Sequence, residues 1–244
     1  LTVRHPSQSH RNLLEDIHLS LRSGEILGIA GLMGSGRTEL LMTLFGASPG
    51  QLVAGKLFVR SRPVELHSPQ EAIRHGLALV TEDRKAQGLF LQLPVQWNIS
   101  IAGLRQVVKR WVLRHKLEKA MAQRYIDQLR IKVSSLAGAI ETLSGGNQQK
   151  VILAKWMATA PSILLLDDPT RGVDVGAKAE IYHLMNQFAE QGIGVIMVSS
   201  ELPEILAMSD RILVLSEGRM VAEFSREEAS EEKIMTAATR TKAA

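Results

Sequence analysis

The chain has 244 residues, 45% of them hydrophobic, no cysteine, and a formal charge of +4 with a pI near 9.5. Its length allows one large domain or two lobes, and no apolar run approaches the roughly 18–20 residues of a membrane span, so a soluble or peripheral protein is expected. Disulfides, thiolate catalysis and cysteine-ligated zinc are excluded, whereas the mild basicity fits nucleic acid or a solvated surface near anionic lipid equally well.

No signal-peptide pattern opens the chain, and its first residue, Leu1, suggests a fragment. Residues 1–10 read as a polar linker. Asp16–Leu21 alternates the apolar Ile17, Leu19 and Leu21, which predicts a half-buried strand. A turn at Ser23-Gly24 leads into an apolar strand, Glu25–Ala30. The stretch Gly31-Leu32-Met33-Gly34-Ser35-Gly36-Arg37-Thr38 then has the spacing of a phosphate loop, GxxxxGK(S/T), with Arg37 in place of the lysine. Its glycines let backbone N–H groups wrap a phosphate, and Thr38 opens a helix over Glu39–Phe45 with its hydroxyl placed for Mg²⁺. A guanidinium is planar and larger than an ammonium, so Arg37 can hold phosphate oxygens but not at the lysine's point. Weakened nucleotide binding is therefore expected, and rapid hydrolysis is not.

Residues 48–64 contain a short alternating strand, Lys56–Arg60, and read as part of an antiparallel β-lobe. Ser68-Pro69-Gln70-Glu71 is a capping box that starts a helix to about His75, followed by a strand over Leu77–Thr81. Glu82, taken alone, is a surface carboxylate. Residues 88–142 read as helices, Val95–Leu104 and then a long Arg105–Arg130 segment. Arg105, Lys109, Arg110, Arg114, His115 and Lys116 cluster around Trp111. That cluster fits a nucleic-acid patch, a face beside phospholipid headgroups or, the reading adopted, a solvated helix face.

At Leu143–Lys150, LSGGNQQK puts Ser144 and two glycines at a loop-to-helix junction, where N–H groups and the helix dipole favour an anion, most plausibly a phosphate. For those residues alone, an ordinary N-cap competes. A helix over Gln148–Ala158 and a buried strand over Ser162–Leu166 follow, and that strand ends in Asp167 and Asp168. Adjacent aspartates can be a turn or an N-cap; the apolar strand before them favours a functional pair. Beyond lie a helix, Gly176–Glu190, a buried strand, Gly194–Val198, ending in Ser199-Ser200-Glu201, a helix, Leu202–Met208, and a last strand, Asp210–Leu215. Ser225–Ala244 reads as a short helix with a frayed tail.

Together GLMGSGRT, LSGGNQQK and LLLDDPTRGVD resemble the ATP-binding cassette (ABC) family of ATPases, from about Leu14 to about Glu228. They are most similar to the second cassette of fused monosaccharide-import subunits of the ribose, galactose, arabinose and xylose type. The strand–helix alternation argues for a mainly parallel α/β sheet. The resemblance implies a P-loop NTPase fold of ABC type with an antiparallel β-lobe and an inserted helical lobe. One nucleotide-binding domain, 1–244, would comprise a core and β-lobe (1–87), a helical lobe (88–142), the signature and C-terminal core (143–224) and a C-terminal helix and tail (225–244).

The resemblance also implies ATP and Mg²⁺ as cofactors, with Gly31 to Thr38 on the nucleotide and Thr38 and Asp167 on the metal. Asp168 stands where most cassettes have the Glu that polarises water, and its carboxylate stops roughly 1.5 Å short of that place. Glu82 replaces a Gln that reaches the Mg²⁺ and water, and Ser200 replaces a His on the γ-phosphate. Leu143, Ser144, Gly145, Gly146 and Asn147 would close over a partner cassette's ATP, and Asp174, in the loop Thr170–Asp174, would touch that partner. Such cassettes usually stack an aromatic on adenine; with no Phe, Tyr or Trp before Phe45, His5 or His10 is left for that task.

An intact signature beside altered Arg37, Glu82, Asp168 and Ser200 implies a domain that completes a partner's site while its own is degenerate. The implied partners are a second cassette, expected as the N-terminal half of the same polypeptide, and transmembrane permease subunits. The cassette would sit peripherally on the cytoplasmic face of the plasma membrane. An independently active ATPase homodimer and a soluble ABC protein acting on nucleic acid or the ribosome are the alternatives, and nucleic acid is not the expected partner.

Overall fold

The computed structural model describes residues 1–8 and 11–239. In chain order they form β1 (Thr2–Arg4), β2 (Asn12–Leu14), β3 (Ile26–Gly31), α1 (Arg37–Leu44), β4 (Gln51–Ala54), β5 (Leu57–Val59), β6 (Arg62–Val64), α2 (Pro69–Arg74), β7 (Leu77–Val80), α3 (Val95–Ser100) and α4 (Leu104–Val107). Then come β8 (Val108–Lys109), β9 (Val112–Leu113), α5 (His115–Gln128), α6 (Gly145–Met157), β10 (Ile163–Asp167), α7 (Val175–Glu190), β11 (Gly194–Val198), α8 (Leu202–Met208), β12 (Arg211–Ser216), β13 (Arg219–Ser225) and α9 (Glu231–Thr239). The chain divides into two compact units, one of residues 1–79, 162–168 and 188 onward, the other of residues 80–161 and 169–187.

The first unit is built on a six-stranded sheet in the order β13-β12-β3-β11-β10-β7. Strands β12, β3, β11 and β10 run parallel, and β13 is antiparallel to β12. The parallel strands read as continuous apolar runs because both faces are covered: Leu164, Leu165, Leu166, Val195, Leu213 and Val214 have no exposed surface. Full burial of each such side chain contributes about 1.5–3 kcal/mol before entropy is counted. Register sets the functional edge. Asp167 pairs with Val198, Val198 with Ile29, and Gly31 with Leu215, so the ends of three parallel strands bring the Gly31 loop, Asp167-Asp168 and Ser199-Ser200 to one side. The carboxyl ends of parallel strands are where open α/β sheets bind ligands.

A smaller antiparallel sheet, β2-β1-β4, and the hairpin β5-β6 form the expected β-lobe. Two readings are corrected here. The supposed linker contains β1, whose Val3 is fully buried between two neighbours. The predicted strand Asp16–Leu21 does not form: Asp16 takes φ 53°, which breaks extended backbone, and Ile17 exchanges hydrogen bonds with Leu1 in both directions. Strand β13 also lies beyond the expected last strand, after a turn with Glu217 at φ 48° and Gly218 at φ 76°. The C-terminal helix is α9, and the tail after Thr239 lies outside the described residues.

The second unit packs α3, α5 and α6 around Ile99, Ala122, Ile126, Ile140, Ile152 and Leu153. Asn98, buried among them, accepts from the Phe90 N–H and donates to the carbonyls of Phe90, Leu93 and Pro94, fixing the approach to α3. Tyr125 donates to the Met157 carbonyl, joining α5 to the end of α6. The expected continuous helix over Arg105–Arg130 is not what forms. Short α4 gives way to the hairpin β8-β9, and α5 begins only at His115. Four β-branched or large apolar residues (Val107, Val108, Trp111 and Val112) weaken helix propensity there. The basic cluster is therefore split: Lys109 and Arg110 belong to the hairpin, Arg114 follows it, Arg105 lies on α4, and His115 and Lys116 open α5.

Candidate functional site

In the first unit, β3 delivers the chain into Gly31–Thr38 with left-handed Gly34 (φ 77°) and Gly36 (φ 99°), conformations that favour glycine. A Cβ on Gly34 would meet nothing within 4 Å, so the loop faces open space there. Helix α1 begins at Arg37 without a side-chain cap, leaving its first N–H groups for an anion. Leu32 and Met33 expose their side chains, so any role at a ligand falls to their backbone. Ser35 is buried; its N–H closes a turn on the Leu32 carbonyl, and among the described residues its hydroxyl has no partner.

Asp167 sits at the end of β10, buried, with the Thr38 hydroxyl close enough to influence its carboxyl. Burial pushes its pKa up to about 6, with Asp168 adding to the rise and Thr38 and Arg37 opposing it. Arg37 donates from Nη1 to the Ser199 carbonyl at 2.8 Å, and burial holds its guanidinium below the ordinary range despite nearby Asp168 and Asp167. Asp168 adopts φ 45°, and its Oδ1 accepts from both the Ser200 N–H (2.6 Å) and the Ser200 hydroxyl (2.9 Å). Two of the expected catalytic residues are thus bonded to each other.

Mg²⁺ and a nucleotide phosphate fit these residues. An orphaned hydroxyl (Ser35), an open glycine turn and a buried carboxylate short of cationic partners make a set that an anion and a divalent cation would complete. Thr38 and Asp167 would hold the metal, and bound Mg²⁺ would neutralise phosphate charge. Of the proposed adenine contacts, His5 accepts from the Ser7 N–H at 3.2 Å through Nδ1, and His10 lies outside the described residues.

The second unit holds the other expected residues. Ser144 is exposed and caps α6, accepting from Asn147 N–H and, at 2.9 Å, from Asn147 Nδ2; Asn147 Oδ1 in turn accepts from the Lys132 N–H. The competing N-cap reading of this motif is therefore realised, and it still leaves the first amides of a 13-residue helix free of intrahelical acceptors. Leu143 contributes its carbonyl to Gln148 Nε2. Close approach demands glycine at Gly146, where a Cβ would lie 2.5 Å from Ala177 Cβ, whereas one on Gly145 would lie 3.0 Å from the flexible Arg84 Nη2. Asp174 caps α7 by accepting from the Ala177 N–H at 3.0 Å.

Glu82 forms an ion pair with Arg171, so its carboxylate is engaged rather than free. Beside it, Arg84 donates to the carbonyls of Arg171 (2.6 Å) and Gly172 (3.0 Å). The two arginines thus clasp residues 82–84 to residues 171–172 from both sides. Lys155 anchors the following segment by donating to the Gly88 carbonyl at 2.7 Å, and burial lowers its pKa to about 8. Sequence reasoning passed over Arg84 and Lys155. The only local signal was the triplet Glu82-Asp83-Arg84, where Asp83 caps the next turn and leaves Arg84 to reach outward.

The family model described as ABC transporter matches residues 14–171, well over half of the chain. The chain belongs to the ABC transporter family. It is 50% identical over 232 residues to the "Xylose import ATP-binding protein XylG" of Geobacillus kaustophilus, covering 95% of this chain and 46% of that one. It is 50% identical over 240 residues to the "L-arabinose transport ATP-binding protein AraG" of Geobacillus stearothermophilus (98% and 47%), and 48% identical over 229 residues to the "Ribose import ATP-binding protein RbsA" of Geobacillus kaustophilus (94% and 46%). The chain spans about half the length of these curated relatives. Among solved structures, an ATP-binding cassette of an ABC transporter in its ADP conformation superposes with TM-score 0.79 at 20% identity, covering 97% of this chain and 95% of that one. The P-loop NTPase fold of ABC type, with a parallel core and antiparallel strands, is thereby established.

Proposed function

We propose that this ABC cassette binds Mg·ATP without fast turnover and lends its signature, Leu143–Asn147, to the ATP of a second cassette during monosaccharide import. The observation that carries the reading is the contrast between its two halves. Ser144 is exposed at the start of α6 with Gly145 half-buried beside it, and the first amides of that helix have no intrahelical acceptor. Asp168, by contrast, spends Oδ1 on two donors from Ser200, and Arg37 spends a donor on the Ser199 carbonyl. Phosphoryl transfer depends on positioned charge, so a short carboxylate held by its neighbour and a tied guanidinium both work against it.

In this mechanism Gly31–Gly36 would present amides to phosphate, Thr38 and Asp167 would hold the metal, and Asp168 and Ser200 hold each other in place of polarising water. Glu82 and Arg84 fix the loop that follows β7, and Asp174 starts α7. The second cassette is the N-terminal half of the same polypeptide, in keeping with the half-length match to import proteins. Transmembrane permease subunits are the other partners, at the cytoplasmic face of the membrane. An exposed apolar stripe at helical spacing, Phe90, Leu93, Trp97, Ile101 and Leu104, supports such a contact.

The test is reciprocal and uses the full transporter. Ser144→Arg should abolish sugar uptake, whereas Thr38→Ala should leave most of it; the opposite ranking overturns the proposal.

A further inference from the structure

We propose that the β8-β9 hairpin is a membrane-anchoring finger that seats an anionic phospholipid headgroup. Residues 101–117 carry five Lys or Arg side chains (Arg105, Lys109, Arg110, Arg114 and Lys116) and no carboxylate, more positive charge than the net +4 of the whole chain. All five are exposed, and among the described residues none makes an ion pair or a side-chain hydrogen bond. Charge left uncompensated in this way attracts an anionic surface.

The tip adds the apolar half of an interfacial anchor. Trp111 is 99% exposed, and Val112, next to it in the chain, is 56% exposed. Arg110 and Trp111 take φ 49° and 67°, the backbone of a two-residue turn that Asn and Gly fill with less strain. A bulky aromatic held there against its own preference, and almost wholly exposed, is the kind of strain found at functional positions. The base, in contrast, is fixed. Val107 is buried, the Arg114 N–H donates to the Val107 carbonyl, and Gln106 donates to the Ala158 carbonyl at the end of α6.

Beside the finger lies a hollow of ≈ 560 Å³ lined by Lys109, Leu113, Arg114, His115, Lys116 and Leu117. Four potential cations around two leucines suit a phosphate that carries acyl chains. A lone tryptophan among aliphatic neighbours fits the lipid interface, where Trp anchors, better than single-stranded nucleic acid, which is held on several stacking rings.

The experiment measures partition of the 244-residue chain onto phosphatidylcholine vesicles with and without phosphatidylglycerol. Binding is expected only with the anionic lipid and weakens with added salt. A Lys or Arg near such a surface is worth about 1 kcal/mol, roughly fivefold, so Lys109→Gln with Arg110→Gln and Lys116→Gln should lose on the order of 100-fold. Trp111→Asn should weaken binding while raising thermal stability, because Asn tolerates the turn; a merely structural Trp111 would leave partition unchanged. Equal binding to neutral vesicles, a triple variant within twofold of the parent, or full displacement by dilute inorganic phosphate would overturn the proposal. So would tighter binding to an RNA or DNA oligonucleotide than to anionic vesicles at the same salt.

Discussion

Arg37 Nη1 lies 2.8 Å from the Ser199 carbonyl oxygen, so the cation of the phosphate loop is spent on the end of β11. A hydrogen bond from a charged donor is worth about 1.5–3 kcal/mol, and phosphate must compete with it. Arg37→Lys, shorter and without the planar fork, should release that bond and tighten ATP binding by about tenfold, equivalent to about 1.4 kcal/mol. Isothermal titration calorimetry checks this, and unchanged or weaker binding would show that the Arg37–Ser199 bond does not limit affinity.

The Asp168–Ser200 pair makes a different prediction, one about rate. Asp168→Glu alone lengthens the carboxylate but leaves Ser200 as its donor, and Ser200→His alone leaves the carboxylate short. Each single change should raise phosphate release little, and the double change by about 100-fold, the scale of a 1 Å repositioning at a reacting centre. Additive single effects, measured by phosphate release from the isolated chain with Mg·ATP, would mean the two residues act independently.

Asp167 predicts how stability depends on pH. Its folded pKa of about 6 lies above the ordinary 3.8, so the folded chain holds this proton more tightly than the unfolded one. The stabilising contribution is full below pH 3.8 and is lost as pH rises through 6, a difference of about 3 kcal/mol at most. Asp167→Asn should therefore raise the melting temperature by roughly 5–10 °C at pH 8, with little gain at pH 4. It should also remove the extra stabilisation that Mg·ATP gives the parent. A variant equally stabilised at both pH values would point to packing instead.

Arg84 carries the fourth prediction. Arg84→Ala removes two donors from the carbonyls of Arg171 and Gly172, and should destabilise the chain by about 2 kcal/mol. Arg84→Lys keeps the charge but lacks the fork that reaches both carbonyls, so it should recover less than half of the loss. Denaturant melts of the three proteins decide it, and complete rescue by Lys would reduce the clasp to a simple charge effect.

Where the sequence was legible, local chemistry and tertiary demand agreed. The apolar runs at Ile26–Gly31, Ile163–Asp167 and Gly194–Val198 are strands because both faces are covered, and the Gly31–Thr38 spacing needs its glycines at left-handed φ. Short elements outside the main sheet escaped. Strand β1 offers three residues with one apolar side chain, too little for a period to register, and Asp16 breaks an alternation that looked regular by adopting a φ no pattern encodes. The β8-β9 hairpin was hidden because Arg110-Trp111 is not the usual chemistry of a two-residue turn. Arg84 was hidden for another reason: its partners lie 87 and 88 residues away, and only the folded chain brings their carbonyls to its fork.

The contact between Gly146 and Ala177 has a practical use. Because a single added methyl group would already overlap there, the spacing of α6 and the start of α7 is set by bare backbone against a methyl, with no slack for one helix to slide over the other. A pair of spin labels on those two helices would read a distance set by that contact, a reference against which displacements measured elsewhere in the chain on adding Mg·ATP can be calibrated.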